Sequence, residues 1–189
     1  SGAYITDSTS NANNGTPTGT TFSASAQIDG GRSFNGTISD YIVAPNSASL
    51  NIINNNLTVE GWVNSPNFST TVAQWLVFKV QHTPGGGYGF GFGIGGLGIS
   101  KPVLNIDGVN YQAGATYSLN NNTWHRFAAA FDSAINNVTF FIDWPPLGNP
   151  TPTNGSALNT SSTSLSFATQ LPGHPVADYL QGSLDEFRV

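Results

Sequence analysis

The sequence predicts an all-β sandwich. Short runs alternate apolar with polar residues, clusters of Gly, Asn, Ser and Pro punctuate them, and no window of helical length carries a 3.6-residue apolar stripe. Ser47 to Ile53 offers one or two helical turns at most.

Each run can be argued in turn. Asp40–Ala44 strings Tyr41, Ile42 and Val43 together behind Asn35-Gly36, and aromatic and β-branched side chains suit a pleated, half-buried surface. Leu57–Val63 alternates Leu57, Val59 and Val63 with Thr58, Glu60 and Trp62, so Glu60 and Trp62 share a face. Trp75–Gln81 carries Leu76, Val77, Phe78 and Val80. From Gly85 to Gly98 the large residues Tyr88, Phe90, Phe92 and Ile94 alternate with glycines, so Tyr88–Ile94 has one aromatic face and one of bare backbone. Either the aromatics enter a core and the glycines admit a close neighbour, or the strip floors a shallow groove. Val103–Ile106 stops at Asp107-Gly108, and a polar cluster separates Trp124–Phe131 from Val138–Asp143. Trp144 to Gly155 holds Pro145, Pro146, Pro150 and Pro152, which cannot donate ladder hydrogen bonds and predict an exposed loop. Ser164–Phe167 and Leu184–Val189 complete the set. The expected core is Val59, Phe90, Phe127, Phe140 and Ile142, and Phe68, in the loop at Pro66, is expected to lie outside it.

A chain of 189 residues with 38% hydrophobic residues suffices for one domain, 1–189, with a single core. Only 8% are charged, far below the roughly 25% of ordinary domains, so solubility rests on Asn, Ser, Thr and Gly. The net charge of -5, with no cluster of Lys and Arg, disfavours nucleic acid and anionic membranes as partners. No apolar run is long enough to span a bilayer, and the chain is expected to be a mature or excised piece with no signal peptide remaining. With Cys 0 there is neither a disulfide nor a thiolate site. The composition is that of secreted, cell-surface or virion-surface modules, which predicts an extracellular setting.

Asp7-Ser8-Thr9-Ser10-Asn11-Ala12-Asn13-Asn14-Gly15-Thr16, Ser33-Phe34-Asn35-Gly36, Ser39-Asp40-Tyr41-Ile42-Val43 and Leu57-Thr58-Val59-Glu60-Gly61-Trp62-Val63 follow one another in order. Asn122-Thr123-Trp124-His125-Arg126-Phe127-Ala128, Phe140-Phe141-Ile142-Asp143 and Gly182-Ser183-Leu184-Asp185-Glu186-Phe187-Arg188-Val189 come after them. In order and spacing this series resembles the laminin-G-like jelly rolls of the concanavalin A-like lectin and glucanase superfamily. The resemblance implies two antiparallel sheets packed as a jelly roll and no single activity. Two departures stand out: Trp144 and two prolines replace a small hairpin glycine after Asp143, and the chain stops at Val189 where the family usually continues, as a piece of a larger protein would.

A retaining glucanase needs two carboxylates about 5 Å apart, and neither Glu60 nor Glu186 has a carboxylate two or four residues on, which argues against an enzyme. The histidines at 82, 125 and 174 lack zinc spacing, and no Gly-x-Ser-x-Gly elbow occurs. Trp62 and Trp124 are expected in core or inter-strand packing, and Glu60 with Arg126 or Glu186 with Arg188 as ion pairs. Aromatics outside the regular strands suit stacking on the C–H face of a sugar, with amides for its hydroxyls; Trp144, Tyr111, Tyr117, Tyr179 and Asn121 are the candidates, or else scattered surface residues. The resemblance further implies a structural calcium ion held by Asp7, the neighbourhood of Gly36, and Asp185, unless Asp185 simply caps backbone N–H groups. The expected function is a non-catalytic glycan- or polysaccharide-binding or adhesion module, one part of a larger protein with neighbouring domains as further partners. The alternative is a structural virion or surface-layer decoration domain that holds protein neighbours.

Overall fold

The computed structural model describes residues 5–53, 56–83, 86–95, 100–170 and 178–189. The ends of the Gly85–Gly98 run, 84–85 and 96–99, lie outside the described residues, as does His174. In chain order the strands are β1 (Thr16–Thr18), β2 (Thr21–Ser23), β3 (Gly31–Asn35), β4 (Tyr41–Ala44), β5 (Leu57–Asn64), β6 (Gln74–Thr83) and β7 (Gly86–Ile94). They continue as β8 (Pro102–Ile106), β9 (Val109–Gln112), β10 (Trp124–Asp132), β11 (Asn137–Ile142), β12 (Thr151–Pro152), β13 (Leu165–Phe167) and β14 (Gln181–Arg188). A single 3₁₀ turn, Ala48–Leu50, is the one helical element among the described residues. The first sheet runs β1-β4-β13-β6-β7-β8-β9 and the second β12-β11-β10-β5-β14-β3-β2, every pair antiparallel. All-β architecture in two antiparallel sheets is what the alternation predicts.

Period-two alternation fixes which side chains fill the space between the sheets. On β5, Leu57, Val59 and Val63 are buried and Thr58, Glu60 and Trp62 face outward; on β10, Phe127, Ala129 and Phe131 point in and Arg126, Ala128 and Ala130 point out. Val138 and Phe140 from β11 join them, facing Leu76, Phe90, Phe92, Ile94, Leu104 and Ile106 of the first sheet. Ile142 is partly buried at the margin of this core. Trp62 is therefore not a core residue: its parity puts it on the outer face, between Arg126 and Asp185. Phe68 corrects the sequence reading the other way. Its ring is 1% exposed and stacks on Phe127 at 5.8 Å, with the His125 ring edge-on at 5.3 Å. A loop residue enters the core here because Asn121 accepts the Phe68 N–H (3.1 Å), while the Phe68 carbonyl accepts the Tyr117 hydroxyl (3.0 Å).

The glycine face of β7 is not a groove. The Phe78 ring lies directly on Gly91 and the Trp75 ring on Gly93, so close that a Cβ at either position would collide with it. Trp75, Phe78, Val80 and Val103 form a second apolar cluster on this side of the sheet, with the Trp75 and Phe78 rings 4.7 Å apart. Burial of each such aromatic is worth roughly 2 to 3 kcal/mol. Gly91 and Gly93 thus serve close packing, and among the described residues this face of β7 offers no bare strip to a ligand.

Candidate functional site: a trough along β10

The outer face of the second sheet is laid out by its register. Phe141 sits opposite Ala128, Ala128 opposite Glu60 and Glu60 opposite Arg188, a row crossing β11, β10, β5 and β14. The next row places Thr139, Ala130 and Thr58 side by side. Because Ala128 and Ala130 are short, a trough follows β10 between taller neighbours. Thr58, Glu60, Arg126, Ala128, Ala130, Phe141, Asp143 and Trp144 line this groove of about 160 Å³.

One wall is aromatic. The chain reverses between Phe141 and Pro146, which form a bridge, and both Asp143 (φ 52°) and Trp144 (φ 60°) occupy the left-handed region in that turn. Glycine is the usual occupant of such a position, and a bulky residue there costs about 1 to 2 kcal/mol. Trp144 is nevertheless 75% exposed, with its ring stacked on Phe141 at 5.0 Å and 6°. The turn is braced through Asp143. Its Oδ1 accepts the Arg126 N–H (2.8 Å), its N–H donates to the Arg126 carbonyl (2.9 Å), and its Oδ2 lies 2.5 Å from His125 Nδ1. The buried His125 ring reaches the Asn120 carbonyl with its other nitrogen, at 3.1 Å.

The opposite wall is ionic. Arg126 donates to Glu60 Oε2 at 2.5 Å, Arg188 approaches Glu60 Oε1 at 3.7 Å and donates to Glu186 at 3.3 Å. Both sequence-expected pairs therefore exist, linked into one ladder through Glu60. A β-bulge between Asp185 and Arg188, with Glu186 at φ 49°, lets Arg188 swing opposite Glu60.

Of the five candidate ligand residues, only Trp144 stands at this groove. Tyr117 is buried, its ring against Phe127 and its hydroxyl on Phe68, and burial pushes its pKa upward, so it is a core residue rather than a stacking platform. Tyr179 is buried as well. Tyr111 packs half-buried against the core, where its hydroxyl donates to the Thr153 carbonyl (3.1 Å) and meets Ser156 Oγ. Asn121 is exposed, but its side-chain Oδ1 accepts the Phe68 N–H while the neighbouring Asn122 N–H donates to the Ser65 carbonyl (2.8 Å). The sequence reading missed the trough itself. The signal was present in the outward series Arg126, Ala128, Ala130, whose small members leave room beside an exposed aromatic.

Each of the three positions suggested for calcium is engaged within the fold. Asp7 accepts the Thr9 N–H and hydroxyl and the Asn13 N–H, each at 2.9 Å, and these bonds, the one from the Thr9 N–H foremost, hold its carboxyl below the usual range. Asp185, buried in β14, accepts the Ile28 N–H at 2.7 Å. Gly36, at φ 78°, forms the turn after β3 against Gln181. Each carboxylate is thus engaged with backbone N–H groups of its own neighbourhood. Among the described residues no three His, Asp or Glu side chains gather as metal ligands.

A larger, more open notch of about 330 Å³ lies where the Asn11–Asn14 loop meets Pro45–Ser47. Three of its four asparagine side chains are engaged within the fold: Asn13 with Ser47 and Ser49, Asn14 with the Asp7 N–H and Asn46 with Lys79. No aromatic ring lines it. The smaller groove at Trp144 is thus the stronger candidate despite its size.

Residues 34–189 match the family model of laminin-G-like domains of the concanavalin A-like lectin/glucanases superfamily. The chain belongs to this superfamily. No curated protein matches the sequence. Among solved structures, the concanavalin A-like chain is similar to the binding domain of botulinum neurotoxin serotype G, at TM-score 0.72 and 14% identity, over 96% of this chain and 44% of that one. It is also similar to domain 4 of AbnA, a GH43 extracellular arabinanase from Geobacillus stearothermophilus solved with arabinotriose, at TM-score 0.70 and 17% identity, over 97% of this chain and 84% of that one. A putative carbohydrate-binding protein from Bacteroides ovatus aligns at TM-score 0.57 and 16% identity, over 78% of this chain and 40% of that one. The chain spans less than half of the neurotoxin and Bacteroides chains. At such identities the likeness shows a shared jelly-roll fold, and ligands belong to sites grafted on it. No helix among the described residues is long and apolar enough to cross a membrane.

Proposed function

We propose that this concanavalin A-like chain is a non-catalytic carbohydrate-binding module, residues 1–189 acting as one unit of a larger secreted or surface protein, with its ligand lying in the β10 trough against Trp144. The observation that carries the reading is Trp144 itself, a large apolar ring three-quarters exposed and held in a left-handed position that favours glycine. Strain maintained at an exposed aromatic is hard to explain by stability and easy to explain by recognition. A flat indole beside methyl-floored space accepts the C–H face of a sugar, and Glu60 and Arg126 offer an acceptor and donors for its hydroxyls. The carboxylates at the groove support binding over hydrolysis. Glu60 faces two guanidinium groups and Asp143 is engaged by the Arg126 N–H and the His125 ring, so neither is free to pass a proton to a leaving oxygen.

The test is Trp144→Gly. Relief of about 1 to 2 kcal/mol of left-handed strain offsets the loss of the Phe141 stack, about 0.5 to 1.5 kcal/mol, so the melting midpoint should hold or rise. Binding on a neutral glycan array should disappear. A variant that binds as the parent does, or a parent that binds no glycan, would overturn the reading.

A further inference from the structure

We infer that the groove selects neutral saccharides over acidic ones and that Glu60 sets this preference; the inference rests on the saccharide-binding reading above. The ionic wall is already balanced, with guanidinium and carboxylate alternating as Arg126, Glu60, Arg188 and Glu186. Asp143 adds a further carboxylate beside Trp144. Arg126 lines the groove with its side chain half exposed, so it is the groove's cation for an incoming anion.

A uronate or sialate carboxylate that accepts from the remaining N–H groups of Arg126 is brought beside the carboxylate of Glu60, and one that takes over Arg126 Nη2 displaces Glu60. The first leaves two negative groups facing each other, and the second also strips the 2.5 Å partner from a carboxylate whose own side chain is 21% exposed. A neutral sugar brings no second charge. Neighbouring hydroxyls of one ring can donate to Glu60 and accept from Arg126 while the pair stays closed, because hydroxyls supply both functions and a carboxylate supplies only one. The pair therefore works as attraction toward a diol and as repulsion toward an acid, the two halves of specificity. The chain's net charge of -5 acts in the same direction at longer range.

Calorimetric titration with cellotriose and arabinotriose as neutral probes and trigalacturonate as the acidic probe separates the possibilities. The parent protein should bind at least one neutral probe about tenfold or more tighter than trigalacturonate, and Glu60→Gln, which keeps shape but removes the charge, should narrow that ratio to within about threefold. Arg126→Gln should weaken the neutral probes and leave the acidic one excluded, since Glu60 then keeps only Arg188, at 3.7 Å, as its counter-charge. Melting curves of both variants report whether each remains folded. A parent that takes trigalacturonate as readily as the neutral probes overturns the inference, as does a folded Glu60→Gln variant that keeps the parental ratio. If neutral binding is lost in Trp144→Gly while the ratio ignores Glu60, the saccharide reading stands and this inference falls; if the parent binds none of the probes, both fall.

Discussion

Single residues show where sequence reasoning and folding part company. Phe68 reads as a loop residue beside Pro66, yet it is sealed between His125, Phe127 and Tyr117's hydroxyl, so Phe68→Ala should cost about 3 to 5 kcal/mol, measurable by denaturant unfolding. An unchanged midpoint would mean that the loop does not anchor the core. Burial of Phe68 depends on partners from Tyr117 and Asn121, some fifty residues on, and no local pattern announces that. Lys79 is a second such case. It is 1% exposed, and its ammonium donates to Asn46 and Asn51 side chains and to the Ser161 and Thr163 carbonyls. Burial lowers its pKa from 10.5 to about 8. Between those values the unfolded chain holds a proton that the folded one has released, so stability should rise with pH across that window. Tyr117 has the opposite sign: burial raises its pKa, the unfolded phenol ionises near 10.0 first, and stability should fall above that pH. Melting midpoints should therefore climb from about pH 8 and turn over near pH 10, with the climb absent in Lys79→Met. A climb that survives in Lys79→Met would assign it elsewhere.

At the scale of elements, legibility followed length and alternation. All nine runs predicted from the sequence contain strands, several to within one residue, because they carry branched or aromatic side chains and all but Leu165–Phe167 are four or more residues long. The missed strands β1, β2 and β12 have two or three residues, β3 carries Gly, Ser and Asn, and β9 is four residues with two amides at the sheet edge, so tertiary pairing and not local preference extends them. Thr151–Pro152 shows the mechanism. It sits at the sheet edge, where a missing proline N–H is tolerated, and the Thr151 hydroxyl ties it to the Gln112 carbonyl at 2.7 Å. The candidate site was legible only in part: Trp144 declared itself by replacing a turn glycine, and the Glu60–Arg126 pair by low charge density. Tyr111, Tyr117 and Tyr179 failed because an aromatic outside a predicted strand need not lie outside the core.

For the molecule as a whole, the two sheets have unlike outer surfaces. Trp75 and Phe78 press on the glycines of β7 in one, and the other exposes an aromatic and ionic trough. Asp7 and Asp185 are spent on separate internal bonds, so in metal-free samples melting curves with calcium and with chelator should superimpose. A rise of several degrees in calcium would reveal an ion site built from other oxygens. One feature of β10 reaches beyond any single ligand. Its odd-numbered side chains hold the sandwich together and its even-numbered ones shape the trough, so natural variation at 126, 128 and 130 can drift without endangering the odd set. Descendants of this scaffold could exchange one diet of ligands for another by enlarging an alanine or inverting a charge, while the inherited frame goes on folding unchanged.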